Sequence, residues 1–66
     1  MKNNIEAERA RLQLSMEALS TQLEISPKTY SSYVRGLTPI PSDTLLKMAE
    51  IFQCSVDYLL GLRDTA

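Results

Sequence analysis

The sequence predicts an all-α fold, a compact globule of five short helices, and three observations carry that expectation. Apolar residues recur at helical spacing, as in Ile5 and Leu12, Leu19 and Leu23, and Leu45, Met48, Ala49 and Phe52. No segment reads convincingly as a strand. Helix punctuation is frequent, with Ser15, Ser26, Ser42 and Ser55 ahead of the apolar runs and Gly36 and Gly61 behind two of them. Helices this short do not survive alone in water, so they must pack on one another.

The first helix is expected from about residue 4 to 13, with Asn3 and Glu6 resembling a capping pair and Ile5, Arg9 and Leu12 on one face. The second, 16–23, follows Ser15 as its N-cap. The third, 27–35, follows Ser26 and starts at Pro27, where a missing N–H costs nothing, and it ends at Gly36. A Pro-punctuated loop, "LTPIPS", leads to a fourth helix over 43–53 capped by Ser42. The fifth, 56–60, is capped by Ser55 and stopped by Gly61, and the tail beyond it is expected to fray. The expected core is Ile5, Leu12, Leu19, Leu23, Ile25, Tyr30, Tyr33, Leu45, Met48, Phe52, Cys54, Leu59 and Leu60.

Composition narrows the function. A chain of 66 residues implies a single domain over 1–66, near the lower limit for folding without disulfides or metal. One Cys and no His exclude a disulfide framework and a Cys/His zinc site, and they fit a reducing cytoplasm. The scattered acids Glu6, Glu8, Glu17, Glu24 and Glu50 suggest neither a metal site nor a paired-carboxylate catalyst. No cofactor is expected, and with no His or activated nucleophile the chain reads as a non-enzyme. No apolar run reaches the roughly 18 residues of a membrane span, so a cytoplasmic protein with no membrane partner is expected. The net charge of −1 does not advertise a nucleic-acid binder, so the placement of the charges must decide.

That placement leads to residues 16–35. Three residues, Glu24, Ile25 and Ser26, separate the second and third helices. With apolar residues at 19, 23, 25, 30 and 33 and the small Ser20 between them, two helices can cross closely around a shared seam. Tyr30 and Tyr33 fall on the inward side of the third helix, leaving Lys28, Thr29 and Ser32 outward.

The stretch "LQLSMEALSTQLEISPKTYSSYVRG…PSDTLLKMAEIFQCSVDYLLG" resembles the Cro/C1 (xenobiotic-response-element type) helix-turn-helix family, over residues 5–62. The resemblance implies a five-helix Cro/C1 repressor-like domain whose third helix enters the DNA major groove while the second crosses the backbone. It implies base contacts from Pro27, Lys28, Thr29 and Ser32, and phosphate contacts from Arg11, Ser15, Met16, Ser31, Arg35 and Thr38. A transcriptional regulator of repressor type follows, a homodimer on a palindromic double-stranded operator, with a protein antirepressor or toxin as a further partner. Lys28 can reach guanine N7 and O6, Thr29 can hydrogen-bond a base edge or touch a thymine methyl, and Ser31 and Ser32 let the helix sit deep. Backbone N–H groups opening the second helix can hold a phosphate.

Three positions and one loop depart from the family pattern. Met16 stands where Gln is common, and Val34 where Glu is usual as the partner of the arginine that here is Arg9. Arg9 therefore pairs with another acid, Glu6 or Glu8, or is free for phosphate. Glu24 occupies a turn position often held by Gly, and loop 37–43 lacks basic residues and contains Asp43. These departures support an alternative, a protein-interaction module that keeps the fold with weak or no DNA binding. For the dimer, Ile51, Tyr58, Leu60 and Leu62 are the expected contact surface.

Overall fold

A computed structural model describes residues 3–64. The chain runs α1 (Ile5–Arg11), α2 (Met16–Gln22), α3 (Pro27–Val34), α4 (Ser42–Phe52) and α5 (Val56–Leu59), with no strand among the described residues. Three starts follow the cap chemistry of the sequence. The side chains of Ser15, Ser26 and Ser55 accept from the N–H groups of Ala18, Thr29 and Tyr58, respectively.

Two starts differ. Glu6 does not close a capping pair with Asn3 but turns to Arg9; the Ile5 N–H donates to Asn3 Oδ1 instead, at 3.1 Å. Ser42 is the first helical residue of α4, not its cap. Pro41, with φ −60° and ψ 149°, takes the cap position, and Asp43 Oδ1 accepts from the Thr44 N–H at 3.0 Å.

All five helices end in one way. Gln13, Glu24, Gly36, Gln53 and Gly61 adopt left-handed backbone, with φ from 54° to 84°. Each donates its N–H to a carbonyl three residues back, and the next residue reaches a carbonyl five residues back, as in Leu14 to Arg9, Ile25 to Ser20 and Leu37 to Ser32. These paired bonds satisfy the last carbonyls of each helix and turn the chain sharply. Glu24, at the turn position often held by Gly, carries φ 59°.

Such a conformation costs an ordinary residue about 1–2 kcal/mol, less what glycine loses in chain entropy. Gln53→Gly is therefore expected to stabilise the protein by about 0.5–1 kcal/mol, and Gly36→Ala to destabilise it by a similar amount. A Cβ at Gly36 meets no atom within 4 Å, so that cost is backbone strain alone. Thermal melts should shift several degrees, up for the first and down for the second.

The core is Ile5, Leu19, Leu23, Tyr30, Tyr33, Met48, Phe52 and Leu59, contributed by every helix and by the residue that closes α2. Ile25 and Cys54 pack against it from half-buried positions, while Leu45 and Leu60 are also only half-buried. Leu12, expected inside, is 37% exposed. The reason is local: α1 stops at Arg11, and the left-handed turn at Gln13 delivers Leu14 to the core instead. Ser20 is 1% exposed, as a small residue at the α2–α3 crossing should be.

Polar side chains clamp the chain ends to this core. Asn4 donates its backbone N–H to the Leu59 carbonyl and its side-chain amide to the Tyr58 carbonyl, joining the start of α1 to α5. Asn3 Nδ2 donates to the Val34 carbonyl at 3.0 Å, joining it to the end of α3.

Candidate nucleic-acid interface

Two helices and a four-residue connection form the site. Ser15 starts α2, Leu23 closes it, and left-handed Glu24 swings the chain so that Ser26 can cap α3 three residues on. Leu19, Ser20 and Leu23 from the first helix meet Tyr30 and Tyr33 from the second in the core. Lys47 Nζ donates to Glu24 Oε2 at 2.8 Å, pinning the turn to α4 by an exposed pair. Such a pair contributes little to stability.

With Tyr30 and Tyr33 buried, α3 presents Pro27 and Lys28 exposed and Thr29, Ser31 and Ser32 half-buried. Arg35, directly after the helix, and Thr38 in the following loop are exposed as well. Thr29 is held locally: its N–H donates to Ser26 Oγ, which donates back to Thr29 Oγ1 at 3.0 Å. Its own hydroxyl proton stays available outward. Ser32 Oγ and Thr38 Oγ1 lie 2.6 Å apart, so two residues expected to touch different parts of a duplex are in fact joined. Neither contact was legible in the sequence, because each depends on rotamers that the capped helix and the left-handed turn select. Ser15 and Met16 are exposed at the start of α2; the Ser15 hydroxyl oxygen accepts the Ala18 N–H.

The arginines divide. Arg9 donates from Nε to Glu6 Oε2 at 3.0 Å and from Nη1 to the Leu14 carbonyl at 2.8 Å, so of the two alternatives for it the internal pair is realised. With Val34 at the α3 position, the i,i+3 acid replaces a cross-helix partner. Arg11 donates from Nε to Glu8 Oε1 at 3.0 Å, pairs with the same oxygen through Nη2 at 2.9 Å, and donates from Nη2 to the Phe52 carbonyl at 3.0 Å. Its guanidinium is thus committed to the fold, although its side chain remains 54% exposed. Glu8, only 6% exposed, also accepts from the Tyr58 hydroxyl at 3.2 Å. Lys28 and Arg35 make no ion pair with any described residue.

Hydrogen bonding from Arg9 holds the Glu6 carboxyl below its ordinary range, against burial that pushes it up. Burial and the neighbouring Glu6 push the Tyr30 phenol well above its usual range, so it stays neutral. A depressed folded-state pKa stabilises above the unfolded carboxylate pKa of about 4.3 and is lost as pH falls through the folded value. The melting temperature should therefore drop below about pH 4, and drop less in Glu6→Gln, whose midpoint should be nearly flat over that window apart from the other acids.

The arrangement, two short helices joined through a left-handed turn with the second one's polar side turned outward, defines a helix-turn-helix module. The chain belongs to the helix-turn-helix family, whose pattern it matches over residues 5–59. It is similar to the uncharacterized HTH-type transcriptional regulator YobD of Bacillus subtilis (strain 168), with 37% identity over 51 residues, which is 77% of this chain and 46% of that protein. The chain thus spans about half the length of that relative. Among solved structures, it resembles the P22 c2 repressor in complex with the synthetic operator 9T, solved in the presence of Tl+, with TM-score 0.81 and 32% identity over 91% of each chain. The fold is thus the all-helical, Cro/C1 repressor-like one that the sequence predicts, and family and fold are those of DNA-binding regulators.

Proposed function

We propose that this protein is a transcriptional regulator, a repressor, that binds double-stranded DNA sequence-specifically with α3 in the major groove. The observation that carries the reading is the near full-length likeness to a repressor whose structure was solved on its operator, at TM-score 0.81. The outward side of α3 agrees with it: Lys28 is an extended cation, and Thr29 and Ser32 are short enough to let the helix approach base edges. In this reading Pro27, Lys28, Thr29 and Ser32 face the bases, while Ser15, Met16, Ser31, Arg35 and Thr38 lie along the phosphates. Arg11 reaches a phosphate only while keeping Glu8. No helix among the described residues is long and apolar enough to cross a membrane, in keeping with a cytoplasmic site of action.

A homodimer on a two-fold operator completes the proposal, since one module of this size buries little DNA. Leu62, 61% exposed, belongs to the surface expected to join the two copies, together with the half-buried Ile51, Tyr58 and Leu60. A cleft of about 250 Å³ lined by Asn3, Tyr33, Gly36, Thr38, Pro39, Ile40 and Leu60 shares Leu60 with that surface.

Selection from a random duplex pool tests the reading: the enriched site should contain two half-sites about one helical turn apart. Salt supplies a second measure. Lys28 on α3 and Arg35 directly after it, neither in an ion pair with a described residue, imply about four phosphates neutralised by a dimer and a slope of log affinity on log salt near −4. Enrichment of no sequence at low salt would sink the proposal and favour the protein-interaction module.

A further inference from the structure

The 2.6 Å contact between Ser32 on α3 and Thr38 in the loop after it joins the recognition helix to the segment that follows. It is built into the backbone. Left-handed Gly36 reverses the chain, and the Leu37 N–H donates to the Ser32 carbonyl at 3.0 Å, bringing residue 38 back beside residue 32. A hydroxyl inside a helix often donates to the carbonyl four residues earlier, and Thr21 does so to Glu17 at 2.9 Å. Ser32 does not; among the described residues its hydroxyl meets only Thr38.

Each hydroxyl has one proton and two acceptor lone pairs, and either oxygen can donate across the 2.6 Å contact. A DNA phosphate oxygen accepts and never donates. If the exposed Thr38 contacts a phosphate, its proton goes to that phosphate. Its oxygen then accepts from Ser32, and the Ser32 proton is committed inward. What Ser32 turns to the groove is lone pairs alone.

We propose that the Ser32–Thr38 pair is a proton-ordering relay that makes Ser32 an acceptor in the major groove, so that the base it faces carries an exocyclic amino group. Adenine N6 and cytosine N4 are the donors available there; guanine and thymine offer only acceptors at these positions. Thr38 is then a positioning residue, setting sequence preference through Ser32 without touching a base. The inference rests on the DNA-binding reading above and adds to it which bases one position admits.

Pool selection with the wild type, Ser32→Ala and Thr38→Val tests it. The operator position facing Ser32 is the one whose preference changes in Ser32→Ala, and the wild type should place adenine or cytosine there. Replacing that base by its analogue lacking the exocyclic amino group should weaken wild-type binding roughly three- to tenfold. Binding by Ser32→Ala should change less than about twofold, the scale of a lost contact that was never made. Thr38→Val frees the Ser32 proton, so guanine or thymine should become admissible at that position while the rest of the operator is still selected. Guanine or thymine in the wild-type site overturns the relay, as does no preference there, or one that Thr38→Val leaves intact, even with the operator otherwise selected. Failure to enrich any sequence is a different result: the DNA-binding reading itself falls, and this inference with it. Circular dichroism of both variants, whose changes lie on the surface, separates loss of preference from loss of fold.

Discussion

Phe52→Ala is expected to leave most of the protein unfolded at physiological temperature. Phe52 is 1% exposed at the end of α4 and packs in the cluster with Ile5, Leu19, Tyr30, Met48 and Leu59. Truncating such a ring costs about 3–5 kcal/mol, transfer and cavity together. The total stability of a chain this short is on the order of 3–10 kcal/mol, so little remains. The position also has a secondary role, because the Phe52 carbonyl accepts from Arg11 Nη2, and the backbone there anchors the α1 arginine. Leu46→Ala is the matched control. Leu46 is 60% exposed on the same helix, and its truncation should change stability by less than about 0.5 kcal/mol. Urea unfolding of both variants decides the matter. A cooperative transition for Phe52→Ala within about 1 kcal/mol of wild type would mean the cluster is not the core that holds the helices together.

Lys28→Ala should act on DNA recognition and leave folding alone. Lys28 is exposed, makes no ion pair with a described residue, and sits in the first turn of α3. Losing one good base contact costs about 1–3 kcal/mol, or roughly five- to 150-fold in affinity for the selected site, and relaxes the preference at one position per half-site. Arg35→Ala should behave differently, weakening binding to all sequences alike and making the salt slope shallower by about one per copy. Titration of both variants against selected and scrambled duplexes at several salt concentrations separates the two roles. Equal losses on both duplexes for Lys28→Ala would make it a phosphate anchor and leave base reading to Thr29 and Ser32.

Much of the fold was legible because the signals are local. A serine before an apolar run needs only its own rotamer to accept an N–H three residues on, and Ser15, Ser26 and Ser55 do this. Pro27 at a helix start needs no partner. The inward placement of Tyr30 and Tyr33 follows from spacing and holds, at 0% and 8% exposure. Helix ends were less legible. Gly36 and Gly61 announce a left-handed residue, but Gln13 and Gln53 announce nothing and adopt it because the core on either side demands the turn. Leu12 was misjudged for the same reason, since a helix that stops two residues sooner than its apolar pattern suggests hands the inward position to Leu14. Glu8 gave no sign of burial. It is inside because Arg11 and Tyr58, the latter 50 residues away, supply donors to it.

The sequence alone determined the class of fold, all five helix starts to within a residue, and the candidate reading helix with Lys28, Thr29 and Ser32 on its outer side. Those features depend on periodicity and capping, which act over three or four residues and are written in the order of the chain. Only the tertiary structure decided which cations remain for a partner. Arg11 looked as available as Arg35, and Arg9 stood open between an acid and a phosphate, but Glu6, Glu8 and the Leu14 and Phe52 carbonyls occupy them. It also decided that the Ser32 and Thr38 hydroxyls lie 2.6 Å apart. Both outcomes depend on where separate segments meet in space. A hydrogen bond goes to whichever acceptor packing brings within about 3 Å, and no local pattern encodes that distance.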